Sequence, residues 1–107
     1  MQQIDNLELK RRELVNTAQL MLTGEMNLLE GTRCICELRF SVGDPENEVF
    51  LPIRAVDSET DHFPLGAIRA SCSPEYLMRA DDEMQTYLND MSKDILQACS
   101  KMVEAFS

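Results

Sequence analysis

Asp57, Glu59, Asp61 and His62 form the densest cluster of chemistry-bearing side chains in the chain. Carboxylates at alternate positions suit a calcium loop, and an imidazole beside carboxylates suits a transition metal. The calcium comparison fails on two positions. His62 stands where such a loop needs glycine, and Ile68 stands where it needs a bidentate glutamate. A looser site built on His62 and a neighbouring carboxylate stays open as an alternative. The plainer role is structural, because Asp and Ser side chains bond nearby backbone amides in turns. A second acidic group, Asp81, Asp82 and Glu83, falls on the flank of the last expected helix, where a solvated face is the ordinary reading.

Catalytic equipment is sparse. The chain has one histidine, no Gly-x-Ser-x-Gly elbow, and only Gly24, Gly31, Gly43 and Gly66 from which to build a phosphate loop. A Cys72–His62 pair would need a third group to orient the base, and the sequence offers none. The remaining cysteines are Cys34, Cys36 and Cys99. Cys34-x-Cys36 lacks the two-residue spacing of a zinc or redox motif. We therefore expect free, mostly buried thiols, no metal, no cofactor and no enzymatic activity. The seven methionines fill a core first and supply an adaptable binding surface second.

Three helices are expected to position these residues. Residues 3–23 carry Ile4, Leu7, Leu14, Ala18 and Met21 on a three-and-four spacing, broken by Arg11 and ended by Gly24. A second helix is expected over 25–41, with Leu28, Leu29, Thr32, Ile35, Cys36 and Phe40 on one side. Ser73-Pro74-Glu75 is a strong helix start, with capping serine, first-turn proline and dipole-matched glutamate. From there Leu77, Ala80, Met84, Leu88, Met91, Ile95, Cys99, Met102 and Phe106 continue the stripe without interruption, with a bend conceivable near Asp81-Asp82. Residues 43–72 read as a long irregular loop. Val49-Phe50-Leu51-Pro52-Ile53 looks extended at most, because a proline sits inside it. Phe50, Ile53, Phe63, Leu65 and Ile68 are the expected pins of that loop. The fold class is thus all-α, a single domain over residues 1–107: a small bundle of three main helices with a loop between the second and the last.

Charge bears on partners. Ten basic side chains against nineteen acidic ones leave a net −9. That repels nucleic-acid backbones and steers encounter with a basic partner, although acidity also serves solubility alone. No run of residues reaches the length of about 18 apolar positions needed to span a bilayer. The first residues show no basic-then-apolar signal pattern, so the expected location is the cytoplasm.

Residues 53–66, Ile-Arg-Ala-Val-Asp-Ser-Glu-Thr-Asp-His-Phe-Pro-Leu-Gly, followed by Arg69 and by Ser73-Pro74-Glu75-Tyr76-Leu77, resemble a group of uncharacterised small helical proteins from proteobacteria. In that group a Ser-Glu-Thr-Asp-His-x-Pro-x-Gly loop precedes a long C-terminal helix. The resemblance covers the second half of the chain and implies a helical, bacterial, cytoplasmic protein. It brings no catalytic residues. One departure is Cys72, where the group has an aromatic residue.

The reading that follows is a non-enzymatic acidic protein that binds a basic protein partner, like an immunity protein or a chaperone. Its expected surface is the loop around Asp57, Glu59, Asp61 and His62, with Asp81, Asp82 and Glu83. The alternative is a small metal- or ligand-binding protein using His62. A homodimer sharing apolar helix faces is a further possibility.

Overall fold

The computed structural model describes residues 6–107, so Ile4 at the start of the first stripe lies outside the described residues. The described residues form four α-helices: α1 (Asn6–Leu22), α2 (Leu28–Leu38), α3 (Leu51–Thr60) and α4 (Pro74–Phe106). Short 3-10 turns follow α2, precede α3 and cross residues 66–71, and the described residues contain no strand. The all-α class holds, with one helix more than the three expected.

The extra helix is α3, and it replaces the expected extended segment. Pro52 sits in its first turn, where a missing N–H costs nothing and the fixed φ favours helix. Proline here starts the helix instead of breaking a strand. Just upstream, the Asn47 side chain accepts from the Val49 amide at 3.0 Å and opens the preceding turn. Once helical, 51–60 presents Ile53, Val56 and Thr60 to the core and leaves Asp57 and Glu59 on its outer sides.

The second helix begins later than expected. Gly24, at φ +81°, makes the turn after α1. Asn27 then caps α2, accepting from the amides of Leu29 and Glu30 at 2.9 and 3.1 Å. Its last expected turn tightens into 3-10 geometry, which turns Phe40 outward to 68% exposure.

The spine is α4. At about 1.5 Å per residue its 33 residues span roughly 50 Å, close to the 55 Å long axis of the molecule. Ser73 caps it by accepting from the Tyr76 amide, and it runs unbroken past Asp81-Asp82. Helix α1 lies antiparallel along its C-terminal half: Met21 Sδ sits 3.8 Å from Cys99 Sγ, and Arg11 lies over the Phe106 ring. Helix α3 and the segment after it cover the N-terminal half, where Phe63 and Ala80 are both buried and line one small hollow. Arg11, the polar break in the first stripe, donates to the Val42 carbonyl at 2.9 Å and so ties the segment after the 3-10 turn that follows α2 to α1. Of the expected pins, Phe50, Ile53 and Phe63 are buried, Leu65 is half-buried and Ile68 is 62% exposed.

Close approach of α2 to α1 rests on Gly31. A Cβ there would lie 2.4 Å from Met21 Sδ, and Met21 is itself only 1% exposed. Gly31→Ala gains about 1 kcal/mol of helix propensity but forces an overpacking cost of about 1–3 kcal/mol. We expect a net loss of about 1 kcal/mol, read as a lower urea midpoint at unchanged slope. A raised midpoint would show that Met21 swings clear of the new methyl group.

Candidate functional site

Three of the seven expected site carboxylates and imidazole are tied up inside the fold. Asp57 and Glu59 belong to α3, not to a loop. Asp57 is half-buried and faces Arg33 at 3.7 Å. Glu59 accepts a hydrogen bond from the Tyr87 hydroxyl of α4. Burial, and next that hydrogen bond, push the Tyr87 hydroxyl up to about 12, so it remains a donor. Asp81 receives both arms of the Arg69 guanidinium at 2.8 Å each. The hydrogen bonds from Arg69 hold the Asp81 carboxyl below the usual carboxylate range. Arg69 also donates to the Pro64 carbonyl at 3.3 Å, so one side chain clamps the 61–72 segment onto α4.

Asp61, His62, Asp82 and Glu83 remain exposed. His62 leans on its neighbour Phe63, with ring centroids 4.2 Å apart and planes at 38°. Two adjoining hollows share His62, Phe63 and Tyr76. The larger, about 580 Å³, extends past Asp61, Leu65, Ile68 and Cys72 to Glu30 and Arg33 on α2. The smaller, about 200 Å³, runs between Arg79, Ala80 and Glu83 on α4. Together they make a groove whose middle is aromatic and aliphatic. Ile68 and Tyr76 in it are 62% and 40% exposed. The spacing in the sequence did not announce this apolar element, because Ile68 reads as a core pin and Tyr76 as one turn of a long helix.

Residues 57–90 hold eight acidic and two basic side chains, a net −6 of the total −9. In the lining of the two hollows themselves, Glu30, Asp61 and Glu83 stand against Arg33 and Arg79. With Arg69 engaged by Asp81, Arg79 is the other base in that stretch.

The metal and nucleophile alternatives find little geometry. Among the described residues, no three His, Cys, Asp or Glu side chains come together as a metal site. His62 and Cys72 line the same hollow, but the Cys72 thiol donates to the Ile68 carbonyl at 3.5 Å. Cys36 and Cys99 are pushed up to about 11, both chiefly by burial. All four cysteines are free thiols. Cys99 is buried, Cys36 and Cys72 are partly covered and Cys34 is exposed, against the expectation of mostly buried thiols. No helix among the described residues is long and apolar enough to cross a membrane.

The described residues thus form an all-α protein with a partly apolar surface groove at one end of α4. No family model, no curated protein and no solved structure matches the chain.

Two predictions follow from these environments. An alkylating reagent at neutral pH labels Cys34 first, and labels Cys36 and Cys99 at comparable speed only in denaturant, because the thiolate is the reactive form. Mass mapping of the labelled peptides checks this, and equal native rates at Cys34 and Cys99 would contradict the packing around Cys99. The Arg69–Asp81 clamp carries a pH signature. The Asp81 pKa is lowered on folding, so its contribution to stability is full above the ordinary carboxylate pKa and is lost as pH falls through the folded value. Asp81→Asn is therefore less stable than the parent at neutral pH, and the two converge in acid. A stability difference that persists in acid would assign the effect to packing instead.

Proposed function

We propose that this chain is a non-enzymatic interaction protein that binds a basic protein partner through the groove around His62, Phe63, Ile68 and Tyr76. The observation that carries the reading is the juxtaposition of exposed apolar side chains with the most acidic stretch of the chain. Interfaces combine an apolar, often aromatic centre with a polar rim, and opposite charge speeds the encounter. Tyr76 and Ile68 supply the centre, and Asp61 and Glu83 stand on the walls. Asp82 is exposed next to Glu83 on the same helix. Asp57, Glu59 and Asp81 act indirectly, by holding α3 and the 61–72 segment against α2 and α4. An apolar and acidic groove of this kind suits masking a basic surface, as an immunity protein or a chaperone does. The resemblance of residues 53–77 to small proteobacterial helical proteins fits a bacterial, cytoplasmic protein of that type.

The test is capture of partners from lysate of the native host by three forms of the full chain. These are the parent, Ile68→Ala/Tyr76→Ala, and Asp61→Asn/Asp82→Asn/Glu83→Gln. Circular dichroism confirms that each is folded. The expected result is one basic partner retained by the parent, lost by roughly tenfold or more with the apolar pair. Retention by the charge variant should be weaker at low salt and converge on the parent at about 1 M salt, where screening acts within about 3 Å. A partner held equally by all three forms, or one indifferent to salt, would overturn the assignment of this groove.

A further inference from the structure

Next to the groove, and sharing Arg33 with it, the chain builds a more basic surface. Arg33, Arg39 and Arg54, three of its seven arginines, line one open hollow of about 670 Å³ between α2 and α3. Cys36, Glu37, Phe40 and Asp57 complete its walls. A single flexible carboxylate lies between two of the guanidiniums: Glu46 Oε1 is 3.7 Å from Arg39 Nη1, and Glu46 Oε2 is 3.3 Å from Arg54 Nη1. Glu46 is 76% exposed and comes from the turn at 45–46, not from a helix. These contacts are loose beside the paired 2.8 Å bonds of Arg69 to Asp81. Arg33 meets Asp57 only at 3.7 Å, and its buried Nε is the one buried side-chain polar atom among the described residues without a hydrogen-bond partner.

Arg39 is meanwhile fixed in place. It is 8% exposed, its Nη1 donates to the Pro45 carbonyl at 2.6 Å, and its guanidinium lies 4.2 Å from the centre of the Phe40 ring. Arg33 is likewise held by a 2.6 Å bond from Nη2 to the Thr60 carbonyl. Two of the three cations are therefore anchored before any ligand arrives, which reduces the ordering cost of binding. The third, Arg54, is the adjustable one.

We infer that this hollow is a binding site for a phosphate group, with Glu46 occupying the anion position in the free protein. A guanidinium presents a planar fork of donors that matches phosphate oxygens, and three such forks offer more donors than one glutamate can satisfy. A phosphate displaces Glu46 into solvent, which its exposure and turn position permit. Asp57 stays beside Arg33 and Glu37 stays on the wall, so with Glu46 gone the hollow holds three positive and two negative side chains. That small excess, inside a protein of net −9, sets a modest affinity. Phe40, with 68% of its surface exposed at the rim, offers a stacking face to a flat organic group attached to the phosphate.

The test is a solution NMR titration of the full chain with inorganic phosphate and, separately, with adenosine monophosphate, at constant ionic strength. We expect saturable shifts confined to residues around 33–57, with half-saturation near 1 mM or tighter. Arg54→Gln weakens binding by about tenfold, the factor for one charge-assisted hydrogen bond. Glu46→Gln strengthens it several-fold, because the internal competitor is gone, and a merely structural Glu46 would not do this. Arg12→Gln, a change on the exposed side of α1, leaves it unchanged. Equal binding of the two ligands identifies free phosphate as sufficient. Tighter binding of the nucleotide, lost on Phe40→Ala, identifies an organic phosphate. Shifts that fail to saturate, or that ignore both Arg54→Gln and Glu46→Gln, overturn the assignment.

Discussion

A 33-residue helix with an uninterrupted apolar stripe needs roughly 50 Å of cover, and no other helix among the described residues supplies it alone. The next longest, α1, has 17 residues and reaches about half that distance. An uncovered half of α4 would leave Ala80, Met84 and Leu88 in water, at a cost of about 1.5–3 kcal/mol for each large side chain. The rest of the architecture answers that need. Helix α1 covers Ile95, Ala98, Cys99 and Met102, while α3 and the 61–72 segment cover the other end. The groove lies at this second end because the cover there is a short helix and a tight turn, which leave gaps that a long helix would close.

That cover must be held down by more than apolar contact, since a 3-10 turn with Ile68 facing out buries little. Arg69 supplies the tie, joining the Pro64 carbonyl on one side and Asp81 on the other. Tyr87 and Glu59 supply a second tie from α4 to the end of α3. Several acidic residues that look like a binding surface in the sequence are thus the fasteners of that surface. The charge left over after fastening, on Asp61, Asp82 and Glu83, is exposed to solvent.

The sequence was most legible where one period ran long. The α4 start at Ser73-Pro74 and its stripe through Phe106 appear in the structure as read, because capping chemistry and packing agree there. It was least legible at residues 51–60. Proline inside a short apolar run suggests an edge strand, and only the position of the first helical residue turns the same proline into a helix start. Once α3 is a helix, Asp57 and Glu59, two residues apart, turn away from each other. The alternating carboxylates that looked like one cluster become two separate contacts, to Arg33 and to Tyr87. Phe40 was misplaced for a related reason: an apolar residue in a 3-10 turn follows a three-residue repeat, so a 3.6-residue stripe assigns it to the wrong face. Ile68 was expected to pin an irregular loop, but the 66–71 segment coils into a 3-10 turn that leaves it exposed.

Helix α3 therefore borders two hollows that share Arg33, and its short length makes that arrangement consequential. Asp57 belongs to the arginine hollow and Glu59 to the contact with α4 beside the groove. Ile53, Val56 and Thr60 anchor the helix to the core between them. Thr60 contributes twice, since its buried hydroxyl donates to the Val56 carbonyl while its own carbonyl accepts from Arg33. The last turn of α3 is thus fixed by a cation of the hollow at the point where the chain leaves for Asp61 and His62. A ten-residue helix has too few internal hydrogen bonds to hold its end rigid unaided. Arg33 lines both hollows, and the geometry of the groove consequently depends on its being held by the Thr60 carbonyl and by Asp57.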